Sequence, residues 1–167
     1  MTVKTWLNTR PHQPMAAQRQ WHEAVGEERF IERDEAGRDD LIALRSTLIA
    51  EESQEVLEAL LNYRKTQIMD DYFEANPAAT ITGLHTVEAP YRYAALAKEL
   101  ADLLYVIYGT ADLLEIPLEA VFAEVHRSNM SKVRPDGTVL RREDGKILKP
   151  DTYREADVHG ALTSEWL

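Results

Sequence analysis

The chain has 167 residues, 29 Asp+Glu against 19 Lys+Arg for a net charge of −10, and no cysteine. That length suits one domain that folds without a staple, and the missing cysteine excludes disulfide scaffolds, thiolate zinc sites, iron–sulfur clusters and cysteine nucleophiles. The acidic balance speaks against a partner such as nucleic acid held by bulk charge, and no apolar run has the ~20 residues of a membrane-spanning helix.

Residues 1–13 read as a loose lead-in without a signal-peptide core, so a cytoplasmic protein is expected. Pro14 and the periodic stretch behind it predict a helix over 14–26, stopped by Gly26. Residues 27–38 read as a charged loop ending at Gly37. Asp39 and Asp40 then supply an N-cap signal. A long helix follows over 40–66, with Leu41, Leu44, Leu48, Ile49, Val56, Leu57, Leu60 and Leu61 as its apolar positions. Asn76-Pro77, Thr82-Gly83 and Ala89-Pro90 mark 67–90 as an excursion between helices, with room for one turn at 68–75. A second long helix is predicted over 91–115 and a fourth over 117–131. Asp144-Gly145, between Thr138-Val-Leu and Lys146-Ile-Leu, signals a small hairpin. Residues 126–154 carry eight basic and four acidic side chains, so an acidic body bears a basic tail over 132–167. The expected fold is all-α, one domain over 1–167, a four-to-five-helix bundle with a short C-terminal hairpin or irregular tail.

Two acidic pairs stand out. Continued at 3.6 residues per turn, the stripe of helix 40–66 reaches Glu52 and Glu55. Glu51 flanks the same face. Helix 91–115 is apolar nearly all round from Leu96 to Ala111, which predicts burial among other helices. Its charges there are Lys98, Glu99 and Asp102. Ionised carboxylates so placed are costly unless they are paired or bind a cation. Four carboxylates converging from two helices make a hard-oxygen site for Mg²⁺, Mn²⁺ or Ca²⁺. No Glu-x-x-His occurs, and the five histidines (12, 22, 85, 126, 159) are scattered, which disfavours di-iron and zinc. Magnesium commonly holds substrate phosphates, and two or more ions would balance so many carboxylates.

Glu51-Glu-Ser-Gln-Glu55 followed by Glu99-Leu-Ala-Asp102 resembles the Glu-Glu-x-x-Glu … Glu-x-x-Asp signature of the all-α nucleoside triphosphate pyrophosphohydrolases. That superfamily includes MazG, the phosphoribosyl-ATP pyrophosphohydrolases and the dimeric dUTPases. The stretch Lys98–Val106, the segment Val121–Lys132 and the tail Asp144–Tyr153 are similar to the small Deinococcus-type MazG-like dUTPases. The resemblance implies a homodimer that cleaves a nucleoside triphosphate, dUTP being the leading substrate, to monophosphate and pyrophosphate with Mg²⁺ or Mn²⁺. It implies Glu52, Glu55, Glu99 and Asp102 as metal ligands and Glu51 as the residue orienting the attacking water. It implies Asn129 and Lys132 as substrate contacts. The basic Lys149 and the neighbouring Tyr153 are further candidates beside the phosphates, and Trp21 and His22 beside the base. The gap from Glu55 to Glu99 is longer than the family usually shows, which leaves base specificity open. A phosphoribosyl-ATP pyrophosphohydrolase is the alternative within the fold. A non-catalytic metal-binding helical dimer or a partner-docking module is the alternative outside it.

Overall fold

The computed structural model describes residues 13–76 and 89–164. Five α-helices are described: α1 Pro14–Val25, α2 Glu35–Ala75, α3 Ala89–Leu113, α4 Leu118–Met130 and α5 Val158–Ser164. A 3-10 turn, Phe30–Glu32, lies between α1 and α2. No strand occurs among the described residues, so the fold is all-α, as expected. The chain divides into two compact units, Met1–Thr110 and Ala111–Leu167.

In the first unit, α1 ends where expected. Gly26 adopts φ 71°, a left-handed conformation that suits glycine, and its N–H closes on the His22 carbonyl. The start of α2 corrects the sequence reading. Asp34, not Asp39 or Asp40, is the N-cap, and its carboxylate accepts the Gly37 N–H at 2.8 Å. Gly37 is therefore the third residue of the helix rather than its boundary. The capping bond offsets its low propensity. At its other end α2 outruns the expected 66, because Gln67 to Ala75 contain no breaker. It stops at Asn76, just before Pro77, where proline disfavours helix in the preceding residue. The rest of the excursion, 77–88, lies outside the described residues.

α2 and α3 run antiparallel. Arg45 of α2 meets Val106 and Thr110 of α3. Glu52 meets Glu99 and Asp102. The Tyr63 and Tyr93 rings lie 5.3 Å apart. Each step up α2 is thus a step down α3. Among the described residues of this unit, Leu41, Val56 and Val106 are the buried apolar side chains, joined by buried Gln18 and His22 from α1. The all-round apolar character of α3 predicted burial, yet Leu100, Leu104 and Tyr105 are exposed. So are Leu44, Leu57, Leu60 and Leu61 on α2. Period and polarity mark a surface that wants a partner, but do not say whether the same chain provides it.

The second unit begins as α3 ends. Glu115 takes φ 56° and the Ile116 N–H reaches back to the Ala111 carbonyl at 2.8 Å, closing the helix ahead of Pro117. The expected hairpin is reduced to one antiparallel bridge, Arg141 with Ile147, around a turn with Gly145 at φ 86°. Polar bonds to α4 hold the tail. Ser128 Oγ donates to the Arg154 carbonyl at 2.8 Å, the Arg154 N–H donates to Ser131 Oγ at 2.7 Å, and the Asp157 N–H donates to Glu124 Oε1 at 2.6 Å. Asp157 then caps α5 by accepting the Gly160 N–H at 2.8 Å.

Candidate metal centre

The antiparallel register turns two sequence motifs into one cluster. On α2, Glu52 and Glu55 share a face because residues three apart lie on adjacent turns. Glu99 and Asp102 do the same on α3. Glu52, Glu99 and Asp102 each offer a carboxylate oxygen, all within 4.8 Å of one another, and all three are half-buried. Glu55 joins them. Its carboxyl is pushed above its ordinary value, first by a hydrogen bond shared with Glu99 and next by the charge of Glu52. Glu51 stands one residue before Glu52 and is exposed.

Glu52 Oε2 is buried and has no hydrogen-bond partner. A buried carboxylate oxygen facing other carboxylates is costly unless a cation completes it. One cation is already close. Lys98 donates to Asp102 Oδ2 at 2.7 Å and to Glu99 Oε2 at 3.2 Å, and these bonds raise the lysine pKa. The ammonium sits on the solvent side of the pair, with its side chain 64% exposed, and leaves Glu52 Oε2 orphaned. The donor set is wholly oxygen, without histidine or thiolate, and matches a hard divalent cation.

The pairing of Lys98 with Asp102 was missed in the sequence, although its i,i+4 spacing was the available signal. Arg45 was also missed. Among the apolar positions 41, 44 and 48 it is a lone cation, and that oddity was its signal.

The expected substrate contacts fall into two groups. Trp21 is exposed on α1, whereas its neighbour His22 is buried. Asn129, Lys132, Lys149 and Tyr153 lie in the second unit and gather around the tyrosine ring. Lys132 Nζ donates to Asn129 Oδ1 at 2.7 Å. Lys149 Nζ lies 4.3 Å and Lys132 Nζ 6.0 Å from the Tyr153 ring centroid. A hydrogen bond from Ser128 and the nearby Lys149 lower the Tyr153 pKa. This is a local cationic station on an otherwise acidic protein.

Residues 19–129, more than half of the chain, match the family described as phosphoribosyl-ATP pyrophosphohydrolase. The match spans both acidic motifs and reaches Asn129. It supports the all-α pyrophosphohydrolase superfamily read from the sequence and does not extend to the dUTPase-like subtype. Of the two substrates weighed from the sequence, phosphoribosyl-ATP fits the match better than dUTP. No curated protein matches the chain.

Proposed function

Because the chain belongs to the phosphoribosyl-ATP pyrophosphohydrolase family, we propose that it hydrolyses a nucleotide triphosphate chain to monophosphate and pyrophosphate with Mg²⁺, or Mn²⁺, as cofactor. The observation that carries this reading is the half-buried Glu52–Glu99–Asp102 cluster with its orphaned Glu52 oxygen. Glu52, Glu99 and Asp102 would hold the cation, with Glu55, hydrogen-bonded to Glu99 from α2, as the fourth carboxylate ligand. When bound, a divalent cation there supplies charge neutralisation for the phosphates and a water of lowered pKa. Glu51, exposed beside the ligands, orients the attacking water. As the water oxygen adds to one phosphorus of the bridge, the P–O bond joining monophosphate to pyrophosphate breaks and the water's proton passes to solvent. Positioning and charge do most of the work, since phosphoryl transfer asks little else of a protein.

Phosphoribosyl-ATP is the substrate the family match favours, and dUTP or another deoxynucleotide is the second reading, supported by the resemblance of the motifs. Lys132 and Lys149, with Asn129 and Tyr153, offer a cationic station for phosphate oxygens, and exposed Trp21 a ring for stacking a base. The exposed apolar faces of α2 and α3 support a homodimer. Among the described residues no helix is long and apolar enough to cross a membrane. A panel of phosphoribosyl-ATP, NTPs and dNTPs, including dUTP, assayed for pyrophosphate release tests the reading. Release from one or more, dependent on Mg²⁺, is expected. No release from any would reject it.

A further inference from the structure

We propose that Arg45 is a positioning residue for the metal-binding carboxylates: its guanidinium locks α2 on α3 in the register that brings Glu52 opposite Glu99 and Asp102. The inference rests on the metal reading above and assigns a task to side chains outside the cluster.

Arg45 Nη2 donates to the Val106 carbonyl at 2.7 Å and Arg45 Nε donates to Thr110 Oγ1 at 3.0 Å. Thr110 Oγ1 in turn donates to that same Val106 carbonyl at 2.8 Å. The three bonds close a ring between the two helices. Glu52 lies two turns along α2 from Arg45, and Glu99 lies two turns along α3 from Val106, in the opposite direction. The lock and the acidic cluster are therefore two levels of one antiparallel pairing.

Apolar contact alone sets this register weakly. Leu44 on α2 and Leu100 and Leu104 on α3 are exposed, so they add little that would resist sliding. A one-turn slip, about 5.4 Å, would separate Glu52 from its partners by more than the cluster spans. A directional polar contact penalises such a slip, as a single polar residue fixes register in coiled coils. The guanidinium is partly buried on neutral acceptors, and desolvation lowers its pKa despite the nearby Glu27 charge. That is an unfavourable way to gain stability and an effective way to gain geometry.

Gly109 makes room for it. A Cβ there would lie 2.8 Å from Arg45 Nη2 and 2.9 Å from Gln18 Oε1. Glycine within a helix is otherwise unfavourable, so its position calls for a reason. Both obstructing atoms are side-chain ends. An alanine would therefore displace the guanidinium while improving helix propensity.

The test uses the full chain and three variants, Arg45→Met, Arg45→Lys and Gly109→Ala. Mn²⁺ affinity is read by electron paramagnetic resonance, with circular dichroism and metal-free melting as controls of folding. Wild type is expected to bind Mn²⁺. Arg45→Met, with wild-type helix content, should bind roughly tenfold more weakly, and Arg45→Lys should recover part of the loss. Gly109→Ala should weaken Mn²⁺ binding in the same direction without lowering metal-free melting, which a merely structural role would not produce. Gly109→Ala that binds Mn²⁺ as wild type does would overturn the inference, even if Arg45→Met failed to fold. Wild type that binds no Mn²⁺ would instead reject the metal reading, and this inference with it.

Discussion

In the second unit, Glu124 bonds Arg127 and the Asp157 N–H, Asp144 bonds Arg142 and the Lys146 N–H, and Asp136 bonds Thr138. In the first unit, Glu52, Glu55, Glu99 and Asp102 face one another, with one ammonium shared between Glu99 and Asp102. The pKa shifts follow the partners. Arg127 first, and the Asp157 N–H next, hold the Glu124 carboxyl down to about 2, while Glu99 and Glu52 push Glu55 up. Of the first kind, Glu124 ties the tail to α4, while Asp144 and Asp136 brace local turns of the tail. Those of the second kind oppose folding when no cation is present, and their clustering is intelligible as a binding site. Charge count alone cannot separate the two kinds, since both contain carboxylates three or four residues from a cation.

The comparison breaks most visibly in turnover. Asp102→Asn and Glu55→Gln preserve shape and remove one charge from the cluster. Each is expected to cut pyrophosphate release roughly 100-fold or more, and EDTA is expected to abolish it. Turnover close to wild type in either variant, or in metal-free buffer, would place the acids of the first unit with those of the second. Next in size is assembly. The apolar faces left open on α2 and α3 predict a homodimer at micromolar concentration, and Leu104→Arg should shift it toward monomer in light scattering. A monomeric wild type contradicts that reading. The smallest effect belongs to the second unit. Because its folded pKa is depressed, Glu124 contributes stability above pH 4.5, and that contribution is lost as pH falls toward about 2. Glu124→Gln should therefore melt below wild type at neutral pH without changing Mn²⁺ affinity. The gap in melting should close across that acidic window. A gap independent of pH would mean that charge is not what holds the tail.

Much of this was legible in the sequence, for identifiable reasons. Helix existence followed from apolar period and from Gly26 and Pro117, which act locally. The acidic pairs were legible because residues three apart on a helix share a face whatever surrounds them. The N-cap at Asp34 was misplaced because Gly37 reads as a breaker, while an Asp three residues before it can make it part of the first turn. The continuation of α2 through Ala75 was underestimated because the nearby Asn-Pro signal hid helix-compatible residues before it. Arg45 was legible as a lone cation, but its partners were not, since they depend on which α3 carbonyl lies opposite. The exposure of Leu104 was hidden for the same kind of reason, because periodicity does not identify the surface that covers a side chain.

The most direct measurement is thermal melting of wild type and Asp102→Asn, each with and without Mg²⁺. If the cluster is a metal site, removing one of its like charges leaves metal-free melting unchanged or higher. The exposed Lys98–Asp102 pair contributes little that could be lost. Mg²⁺ should then raise the melting temperature of wild type by more than that of the variant, because ligand that binds only the folded state stabilises in proportion to its affinity. An Asp102→Asn protein that melts far below wild type without metal, with an equal response of both to Mg²⁺, would contradict the account.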